Sequence, residues 1–387
     1  MNADGWIARF REVRGHTERL AAPLTPEDQQ LQASPASSPT KWHRGHTTWF
    51  FETFLLGPRG QAPFEPAWGP LFNSYYEAVG PRHARPERGL LSRPSCDEIA
   101  AWRRIVDGRV EAWLAAADAA ALADAAPILA LGLAHEEQHQ ELILTDVLAA
   151  FAKNPLVPAI APPASFAAEA PGWVEHPGGL VAIGHDGDGF AFDNEGPRHD
   201  VALRPFRVSR RLVTVGEWLS FIADGGYTTP SLWLSDGIAW VRDHGIDAPG
   251  YARVEGGALV VRDLSGEHAW PAHAPVSFVS AYEADAFATW AGARLPTEAE
   301  WEAAAPGLAQ VGSAGWQWTR SAYSPYPGFR APPGAVGEYN GKFMINQLVL
   351  RGASRFTPPG HSRATYRNFW PPETRFQATT VRLAADG

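Results

Sequence analysis

Two histidines four residues apart, His135 and His139, give this chain its clearest candidate for metal chemistry. They lie in the stretch PILALGLAHEEQHQELILTDVLAAF, which runs from Pro127 to Phe151. Its apolar residues recur at three- and four-residue spacing, which predicts one long helix with Pro127 in the first turn. Because residues four apart share one face of a helix, both imidazoles can bind the same metal ion. A solvated polar face is the alternative interpretation.

The same stretch matches the H-E-x-x-H pattern of zinc metalloproteases, in which Glu136 would be the general base. Two observations argue against a protease. Leu142 stands where the metzincin extension requires glycine, and a Pro/Ala-rich region follows where a downstream acidic ligand would be needed. The pattern is also short enough to occur by chance.

A third metal ligand is expected upstream, in the segment KWHRGHTTWFFETFLLG. Its aromatic and apolar density predicts a buried helix that ends at Gly57 and packs against the long helix. His43 and His46 both lie in its first turn and on similar faces, so spacing alone does not choose between them. Three neutral imidazoles without a carboxylate suit Zn(II) or Fe(II) and leave positions open for water, O2 or substrate.

Two adjacent tyrosines, Tyr75 and Tyr76, precede a Gly-Pro-Arg turn. A phenol at the edge of a loop could donate a proton or a hydrogen atom to a metal-bound oxygen species, whereas packing in a core is the alternative. The arginines that follow would suit a carboxylate substrate and are equally compatible with solvated surface charge. These arginines are Arg82, Arg85, Arg88 and Arg93.

The elements that must position these residues form a helical N-terminal part. A first helix is predicted from Gly5 to Leu20, and Ser95 is expected to cap another that runs to about Ala117. With the two histidine-bearing helices this predicts an up-and-down bundle over residues 1–153, in which facing helices can build a metal site.

A change of texture marks a second domain. Residues 154–172 are rich in Pro and Ala and predict a linker. Residues 173–387 then show short β-like runs between Gly, Pro and Asp, with two convincing helices, one capped by Thr214 and the other by Ser280. This pattern predicts an α+β domain with many irregular loops.

Composition excludes several classes of protein. The chain has 387 residues, which suits two domains, and a formal net charge of −9, which argues against a nucleic-acid or acidic-membrane partner. A single cysteine, Cys96, excludes an intramolecular disulfide and a cysteine-based metal cluster. No apolar run near ~20 residues and no signal-peptide core are evident, so a soluble cytoplasmic protein is expected.

Aromatic residues are concentrated in one segment of the second domain, GWQWTRSAYSPYPGF. An aromatic wall of this kind can hold a quaternary ammonium group by cation–π attraction, whereas hydrophobic packing in a loop-rich fold is the alternative. The aromatic residues of the segment are Trp316, Trp318, Tyr323, Tyr326 and Phe329.

Several motifs taken together resemble the ergothioneine and selenoneine synthase family, whose members are non-haem iron enzymes. The resemblance covers nearly the whole chain in the expected order. It implies an α+β two-domain fold, with an N-terminal DinB-like four-helix bundle and a C-terminal formylglycine-generating-enzyme/C-type-lectin-like domain. The motifs are KWHRGHTTWFFETFLL, FNSYYEAVGPRH, LAHEEQHQELILTD, VTVGEWLSFIADGGY, GARLPTEAEWE, WQWTRSAYSPYPGF and LVLRGASRFTPPGHSRATYRNFWPP.

The resemblance also implies a cofactor, substrates and site residues. Fe(II) would be bound by His46, His135 and His139, and O2 would be the co-substrate. Gln138 matches a residue that contacts the substrate imidazole. The segment of Gln317 and Trp318 resembles the one that holds the trimethylammonium and carboxylate of hercynine, which is Nα-trimethylhistidine. The tyrosine pair, Tyr75 and Tyr76, resembles that of the cysteine-using branch, where it steers oxygen transfer toward C–S bond formation.

Departures from the family pattern fall in one C-terminal segment. Where the family often reads F-M-C-N-Q and G-G-S-C-A-T-P, this chain has Ile345, Ala353, Arg355 and Phe356. Substrate-binding Arg355 and Phe356 would remodel the donor pocket, which weakens the case for cysteine or γ-glutamylcysteine. The resemblance therefore favours selenoneine synthase, which uses a selenosugar. The alternatives are ergothioneine synthase, a zinc-dependent DinB-type thiol transferase and a ligand-binding module without turnover.

Overall fold

The computed structural model describes residues 1–333, 337 and 339–387, which form two compact units. The first is Met1–Asn154 with the short segment that begins at Pro333, and the second is Pro155–Pro332 with Tyr339–Gly387. The helices of the first unit are α1 Ala3–Ala21, α2 Thr40–Phe50, α3 Gly69–Phe72, α4 Cys96–Ala116 and α5 Ala119–Phe151.

The long helix α5 begins at Ala119, so the prediction that Pro127 lies in its first turn is wrong. The side chain of Asp118 accepts a hydrogen bond from the Ala121 N–H at 2.8 Å and caps the helix there. The Ala-rich turns that follow favour helix, and Leu122 is buried against the bundle. Together the cap, the helix-favouring alanines and the burial of Leu122 offset the loss of the backbone hydrogen bond that Pro127 cannot donate.

The helix that bears His46 changes geometry along its length. It is α-helical to Phe50, continues as a π-helix over Phe51–Leu56, and closes with a 3-10 turn over Gly57–Arg59. The wider π turn follows directly after the segment that carries the histidines. Single π turns within helices are frequent at functional sites. The predicted end near Gly57 is therefore confirmed, although the last turns are not α-helical.

Helix α5 would suit a membrane span by length and mean hydropathy, which the sequence-based expectation did not foresee. Its packing identifies it instead as a core helix. It packs against α1 and α2, and its buried residues include the charged Glu136, Glu137 and Glu141. Carboxylates are almost never buried unless they are paired, so their burial here is typical of a helix that packs inside a protein.

The other caps of the first unit follow from local sequence. Ser95 and Glu98 form a reciprocal capping box at the start of α4, which confirms the predicted cap. Helix α1 is capped by Asn2 and buries Trp6, Phe10 and Val13.

The second unit is built from small sheets and short helices. The strands are β1 Trp173–His176, β2 Gly179–Ile183, β3 His199–Leu203, β4 Phe206–Ser209, β5 Ala252–Glu255, β6 Ala258–Asp263, β7 Gly266–Ala269, β8 Trp316–Ala322, β9 Leu348–Arg351, β10 Asn368–Trp370, β11 Thr379–Thr380 and β12 Ala384–Asp386. A four-stranded sheet has the order β10-β9-β8-β11, one three-stranded sheet has the order β1-β4-β12 and another has the order β5-β6-β7. Strands β2 and β3 form an antiparallel pair.

Two helices of the second unit are the predicted ones, with Thr214 and Ser280 as their caps. Two more helices among the described residues were not predicted. One is Ser235–His244, which contains Gly237. The other is Glu298–Ala304, and its capping residue Thr297 with Glu300 three positions later was a signal available in the sequence. The helices are α6 Val215–Ala223, α7 Ser235–His244, α8 Ala281–Trp290 and α9 Glu298–Ala304.

The Pro/Ala-rich segment 154–172 contains no helix or strand and runs along the second unit. The backbone N–H groups of Ile160 and Ala161 both donate to the carbonyl of Leu264, at 2.8 and 3.0 Å. His273 Nε2 lies 3.0 Å from the carbonyl of Phe166. The segment is therefore fixed to this unit by hydrogen bonds at several points.

Candidate metal centre

Three histidine side chains converge inside the helical unit. His46 comes from α2, and His135 and His139 come from α5, and their ligand atoms all lie within 4.8 Å of one another. The Nε2 atoms of His46 and His135 are 3.1 Å apart. All three side chains are buried. This is the constellation that spacing and resemblance predicted, and its role as a ligand set stays a prediction.

Two glycines allow the helices to approach closely around the histidines. A Cβ atom at Gly132 would lie 2.8 Å from the ring of Phe51 and 2.9 Å from that of Phe50. A Cβ atom at Gly45 would lie only 2.3 Å from the ring of Phe72. All three distances are shorter than real Cβ contacts, so a larger residue at either position would displace these rings.

We expect the variant Gly45→Ala to disturb the centre through its neighbour Phe72. The backbone carbonyl of Phe72 accepts from His46 Nδ1 at 2.6 Å, so a displaced Phe72 would also displace the imidazole. Overpacking of this kind costs about 1–3 kcal/mol. Urea unfolding of the apoprotein should show that loss, and metal binding should weaken as well. Gly108→Ala, on α4 with open space at the Cβ position, is the control: it should leave metal binding unchanged and raise the free energy of unfolding by about 0.5–1 kcal/mol, because alanine replaces glycine inside a helix.

Burial keeps the three imidazoles neutral. It lowers the pKa of His135 to about 3 and holds the pKa values of His46 and His139 well below the ordinary value. Neighbouring imidazoles oppose protonation further, since His135 would repel a charge on either of the other two rings. Neutral imidazoles present nitrogen lone pairs, which is the form that binds a metal ion.

The hydrogen bond to Phe72 shows which nitrogen of His46 faces the cluster. A carbonyl oxygen only accepts, so Nδ1 of His46 carries the proton and Nε2 carries the lone pair. That lone pair points at Nε2 of His135 across 3.1 Å. A cation between the nitrogens would satisfy both, so the donor set fits a divalent metal with a preference for imidazole ligands.

His43 lies beside the cluster and contacts one of its members. Its Nδ1 is 2.8 Å from Nδ1 of His139, and its Nε2 is 3.0 Å from Oδ2 of Asp146. Spacing alone left His43 and His46 open as the third ligand, and the family resemblance implied His46. The structure groups His46 with the α5 pair and gives His43 these other partners.

Aromatic rings surround the cluster. Trp42 and Trp49 both stack on the ring of His46, with centroids 4.7 and 5.6 Å away, and Phe50 lies 4.8 Å from the ring of His135. Such a shell fixes the orientation of the imidazoles and keeps bulk water away from them.

Glu136, the general base of a protease interpretation, is occupied elsewhere. Its carboxylate is fully buried and accepts from Thr17 at 2.6 Å, from Arg14 at 2.8 Å and from Arg103. Burial alone would raise the pKa of Glu136, but the charges of Arg103 and Arg14 lower it to about 2. An ion held by two arginines does not take up a proton near neutral pH, which removes it from general-base catalysis.

The two predicted tyrosines lie in different environments. Tyr76 is fully buried, 5.7 Å from the ring of Trp49 and 5.0 Å from that of Phe54. Tyr75 is half-buried and stacks on Tyr76 at 4.6 Å, with the two hydroxyl groups 3.5 Å apart. Tyr76 is therefore one aromatic ring from His46, through Trp49, and a catalytic role for either phenol stays a prediction.

Of the four arginines after the tyrosine pair, Arg82, Arg85 and Arg93 are exposed, and Arg82 forms an ion pair with Glu77 at 2.9 Å. The buried member of the group is Arg88. Its guanidinium lies 3.4 Å from the ring centroid of Trp42, and burial lowers the pKa of Arg88 to about 8. It donates to the hydroxyl groups of two serines, Ser38 and Ser74.

Gln138 is half-buried on α5, between the paired histidines. Gln317 and Trp318 belong to the interior of the second unit. The amide oxygen of Gln317 accepts from Trp301 and Arg382, both at 2.6 Å, and Trp318 donates to the carbonyl of Val279 at 2.8 Å. Both side chains are fully buried, so contact with a ligand would require these hydrogen bonds to open.

The remaining members of the aromatic segment also make internal contacts. Tyr323 stacks on Phe369 at 4.0 Å, and Tyr326 donates to Glu298 at 3.1 Å while the guanidinium of Arg367 lies over its ring. These are the contacts of the packing interpretation, which the sequence had kept as the alternative to a cation-binding wall.

Arg355 is turned into an aromatic cluster of the second unit. Its guanidinium lies 4.6 Å from the ring centroid of Trp270, 5.0 Å from Phe278 and 5.1 Å from Phe356. Burial lowers the pKa of Arg355 to about 10. The role of Arg355 and Phe356 in donor binding stays a prediction.

A cavity of about 600 Å³ opens within the second unit. Trp301 and Glu302 of α9 line it, together with Gly352, Ser362 and Arg363 from the segment that follows β9. None of the residues predicted to bind substrate is among those that line this cavity.

Comparisons with known proteins place both units. The profile of the DinB superfamily matches residues 9–143, and that of the sulfatase-modifying factor enzyme 1-like domain matches residues 160–313. The hercynine oxygenase of Mycobacterium tuberculosis is 33% identical over 93% of this chain and 94% of its own length. The hercynine oxygenase of Mycolicibacterium smegmatis is 30% identical with the same coverage.

The chain belongs to the hercynine oxygenase family. The formylglycine-generating enzyme of Streptomyces coelicolor is 36% identical over 41% of this chain and 55% of its own length, so it matches only part of either protein. The predicted α+β two-domain class, with a DinB-like helical domain and a formylglycine-generating-enzyme-like domain, is thereby confirmed. The protein is an enzyme of this family.

Proposed function

We propose that this chain is a cytoplasmic non-haem Fe(II), O2-dependent enzyme that joins C2 of the hercynine imidazole to a chalcogen donor, with a selenosugar as the donor. The observation that carries the proposal is the convergence of His46, His135 and His139, buried and neutral, in a chain related to hercynine oxygenases over 93% of its length. A thiol such as cysteine or γ-glutamylcysteine is the alternative donor.

The overall reaction balances without a further reductant. A C–H bond of the imidazole and the Se–H or S–H bond of the donor are broken, and a C–Se or C–S bond forms. One atom of O2 becomes the chalcogen oxide and the other leaves as water with the two hydrogens. The chalcogen and carbon are oxidised, and O2 is reduced.

The residues of the helical unit have distinct tasks in this proposal. Bound Fe(II) would supply open positions at which the reactants meet, which is a proximity effect. His46, His135 and His139 hold that ion in a rigid helical frame. Gln138, beside His139 on α5, would contact the substrate imidazole.

Tyr75 or Tyr76 would supply a proton to the oxygen atom that leaves as water and would recover it from the hydrogens that the imidazole and the donor lose. Stacking at 4.6 Å and burial of Tyr76 fix the phenol geometry within the same aromatic cluster that surrounds His46. A fixed donor transfers its proton at a defined position, which general acid catalysis requires.

Further residues are proposed to bind the rest of the substrates. Arg82 and Arg85 would attract carboxylate groups, and Arg355 with Phe356 would select the donor. Gln317 and Trp318 would hold the trimethylammonium and carboxylate groups of hercynine, which requires the hydrogen bonds of both side chains to rearrange on binding.

The donor is tested by competition. Purified protein loaded anaerobically with Fe(II) receives hercynine and, in turn, a selenosugar, cysteine and γ-glutamylcysteine, while an oxygen electrode follows O2 and mass spectrometry identifies the product. We expect O2 uptake only when hercynine and a donor are both present, with at least roughly tenfold higher kcat/KM for the selenosugar, which corresponds to about 1.4 kcal/mol.

Each outcome of this competition has a meaning. No O2 uptake with any donor contradicts the proposed reaction, whereas a preference for cysteine contradicts only the choice of selenium. The double variant Arg355→Cys/Phe356→Ala restores side chains typical of the family and should move the preference toward thiols. If the preference of this double variant is unchanged, Arg355 and Phe356 do not select the donor.

A further inference from the structure

A chain of hydrogen-bonding contacts leads from the candidate metal centre to a buried carboxylate. His139 Nδ1 lies 2.8 Å from His43 Nδ1, and His43 Nε2 lies 3.0 Å from Oδ2 of Asp146. The backbone N–H of Ser38 donates to the same carboxylate oxygen at 2.8 Å. All three side chains are buried, with His43 2% and Asp146 6% exposed.

The chemistry of these groups gives this series of hydrogen bonds one consistent direction from donor to acceptor. An ionised carboxylate only accepts, so His43 donates from Nε2 to Asp146. A neutral His43 then has its lone pair on Nδ1, which accepts from Nδ1–H of His139. The neutral imidazole of His139 is left with its lone pair on Nε2. The opposite direction would place a proton on Nε2 of His139 and prevent that atom from binding a metal.

Helices α2 and α5 supply all three side chains of this hydrogen-bonded series. His139 and Asp146 are seven residues apart on α5, which is about two turns and therefore the same face. His43 precedes His46 by about one turn on α2. His43 of α2 thus contacts a ligand candidate of α5, and Asp146 of α5 contacts His43 in turn, so the packing of α2 on α5 sets the geometry.

We propose that His43 and Asp146 are positioning residues that fix the tautomer and ring orientation of His139, so that its Nε2 lone pair is directed at the metal. The inference rests on the proposed metal centre. His46 is held in the same sense by a different group, because its Nδ1 donates to the carbonyl of Phe72 at 2.6 Å. Two ligands of one site therefore have their outer nitrogens fixed by separate acceptors, as is common for metal-bound histidine.

A matched pair of variants at one position tests this role. His43→Leu removes the acceptor, whereas His43→Asn places an amide oxygen near the position of the imidazole Nδ1 and can still accept from His139. Dissociation constants for Fe(II) and Co(II) would be measured anaerobically by competition with a chelator. We expect His43→Leu to weaken binding by about 10–100-fold, and His43→Asn to restore it to within about threefold of the unaltered protein.

The absorption spectrum of the Co(II)-loaded protein gives a second readout that a merely structural role would not change. A displaced His139 alters the ligand field of the ion, so the visible bands of His43→Leu should shift while those of His43→Asn stay in place. Thermal unfolding of each apoprotein shows whether the variants fold. If His43→Leu does not fold, Asp146→Leu decides the question, because an apolar side chain of similar size cannot accept from His43 Nε2; its Co(II) bands should shift as well.

Three outcomes would overturn the inference. Unchanged metal affinity and spectrum in folded His43→Leu show that His139 needs no acceptor. Complete loss of binding in both His43 variants shows that His43 is itself a ligand. An unchanged spectrum in Asp146→Leu, where that variant decides, shows that the carboxylate does not act through His43. Failure of the proposed reaction is recognised separately, since the unaltered protein would then bind metal with this same variant pattern and not consume O2.

Discussion

The variant His135→Ala should bind no stoichiometric metal and should lose roughly 10³-fold or more of the O2 uptake that depends on hercynine. His135 contributes one of three buried nitrogens, and the two that remain come from different helices with no carboxylate among the described cluster to replace it. Two imidazoles bind a divalent ion much more weakly than three, so the protein would be isolated largely as apoprotein.

Metal content by mass spectrometry and O2 uptake by electrode measure this effect on the same sample. His16→Ala is the matched control, since His16 lies on α1 of the same unit and faces Arg19 at 3.5 Å instead of the cluster. Circular dichroism establishes that both variants keep the helical bundle. A folded His135→Ala protein with full metal content and turnover would show that the three-histidine cluster is not the active metal centre.

The elements that sequence predicted correctly depend on local patterns. The caps Ser95, Thr214 and Ser280 each stand three residues before a glutamate, and the reciprocal hydrogen bonds that define a capping box form within one turn. The pairing of His135 with His139 is local in the same sense, because helical periodicity alone places both rings on one face.

What the sequence could not provide depends on residues far apart in the chain. Spacing alone could not separate His46, which the resemblance implied, from His43, because the contact of His43 with Asp146 joins residues about a hundred positions apart. The start of α5 was misplaced because Pro127 looked like a first-turn residue, whereas the capping bond of Asp118 sets the true start. The apolar density of the segment predicted a helix but not the change to a π-helix after Phe50.

The substrate-binding predictions show the same limit. Gln317 appears polar and available in the sequence, yet its oxygen accepts from Trp301 and from Arg382, which follows 65 positions later. Among the arginines after the tyrosine pair, the exposed Arg82 and the buried Arg88 cannot be told apart by spacing. Only the position of Trp42 under the guanidinium of Arg88 separates them.

The variant Glu136→Ala should lower the free energy of unfolding by about 3 kcal/mol, because it removes one of the two carboxylates that pair with each of the buried arginines Arg14 and Arg103. Their other partners, Asp107 and Glu18, remain. Urea unfolding at neutral pH measures the loss. Glu111→Ala is the matched control: it removes an ion pair with the exposed Arg11 and should cost less than about 1 kcal/mol.

The pH dependence of stability gives an independent check on Glu136. Its pKa is about 2 in the folded protein and 4.5 in its ordinary state, so the stabilisation is complete above pH 4.5 and is lost as pH falls toward 2. A difference of this size is worth about 3 kcal/mol. Between pH 5 and pH 2 the free energy of unfolding should therefore fall less steeply in Glu136→Ala than in the unaltered protein.

Glu136→Gln separates this structural role from a catalytic one. The amide keeps the shape of the side chain and removes its charge, so we expect reduced stability with metal content and kcat within a few-fold of the unaltered protein. A general base of a hydrolase would lose roughly 10²–10⁴-fold in rate on the same change. Such a loss at unchanged stability would return Glu136 to the chemistry of the metal centre, and with it the hydrolytic interpretation of the H-E-x-x-H pattern.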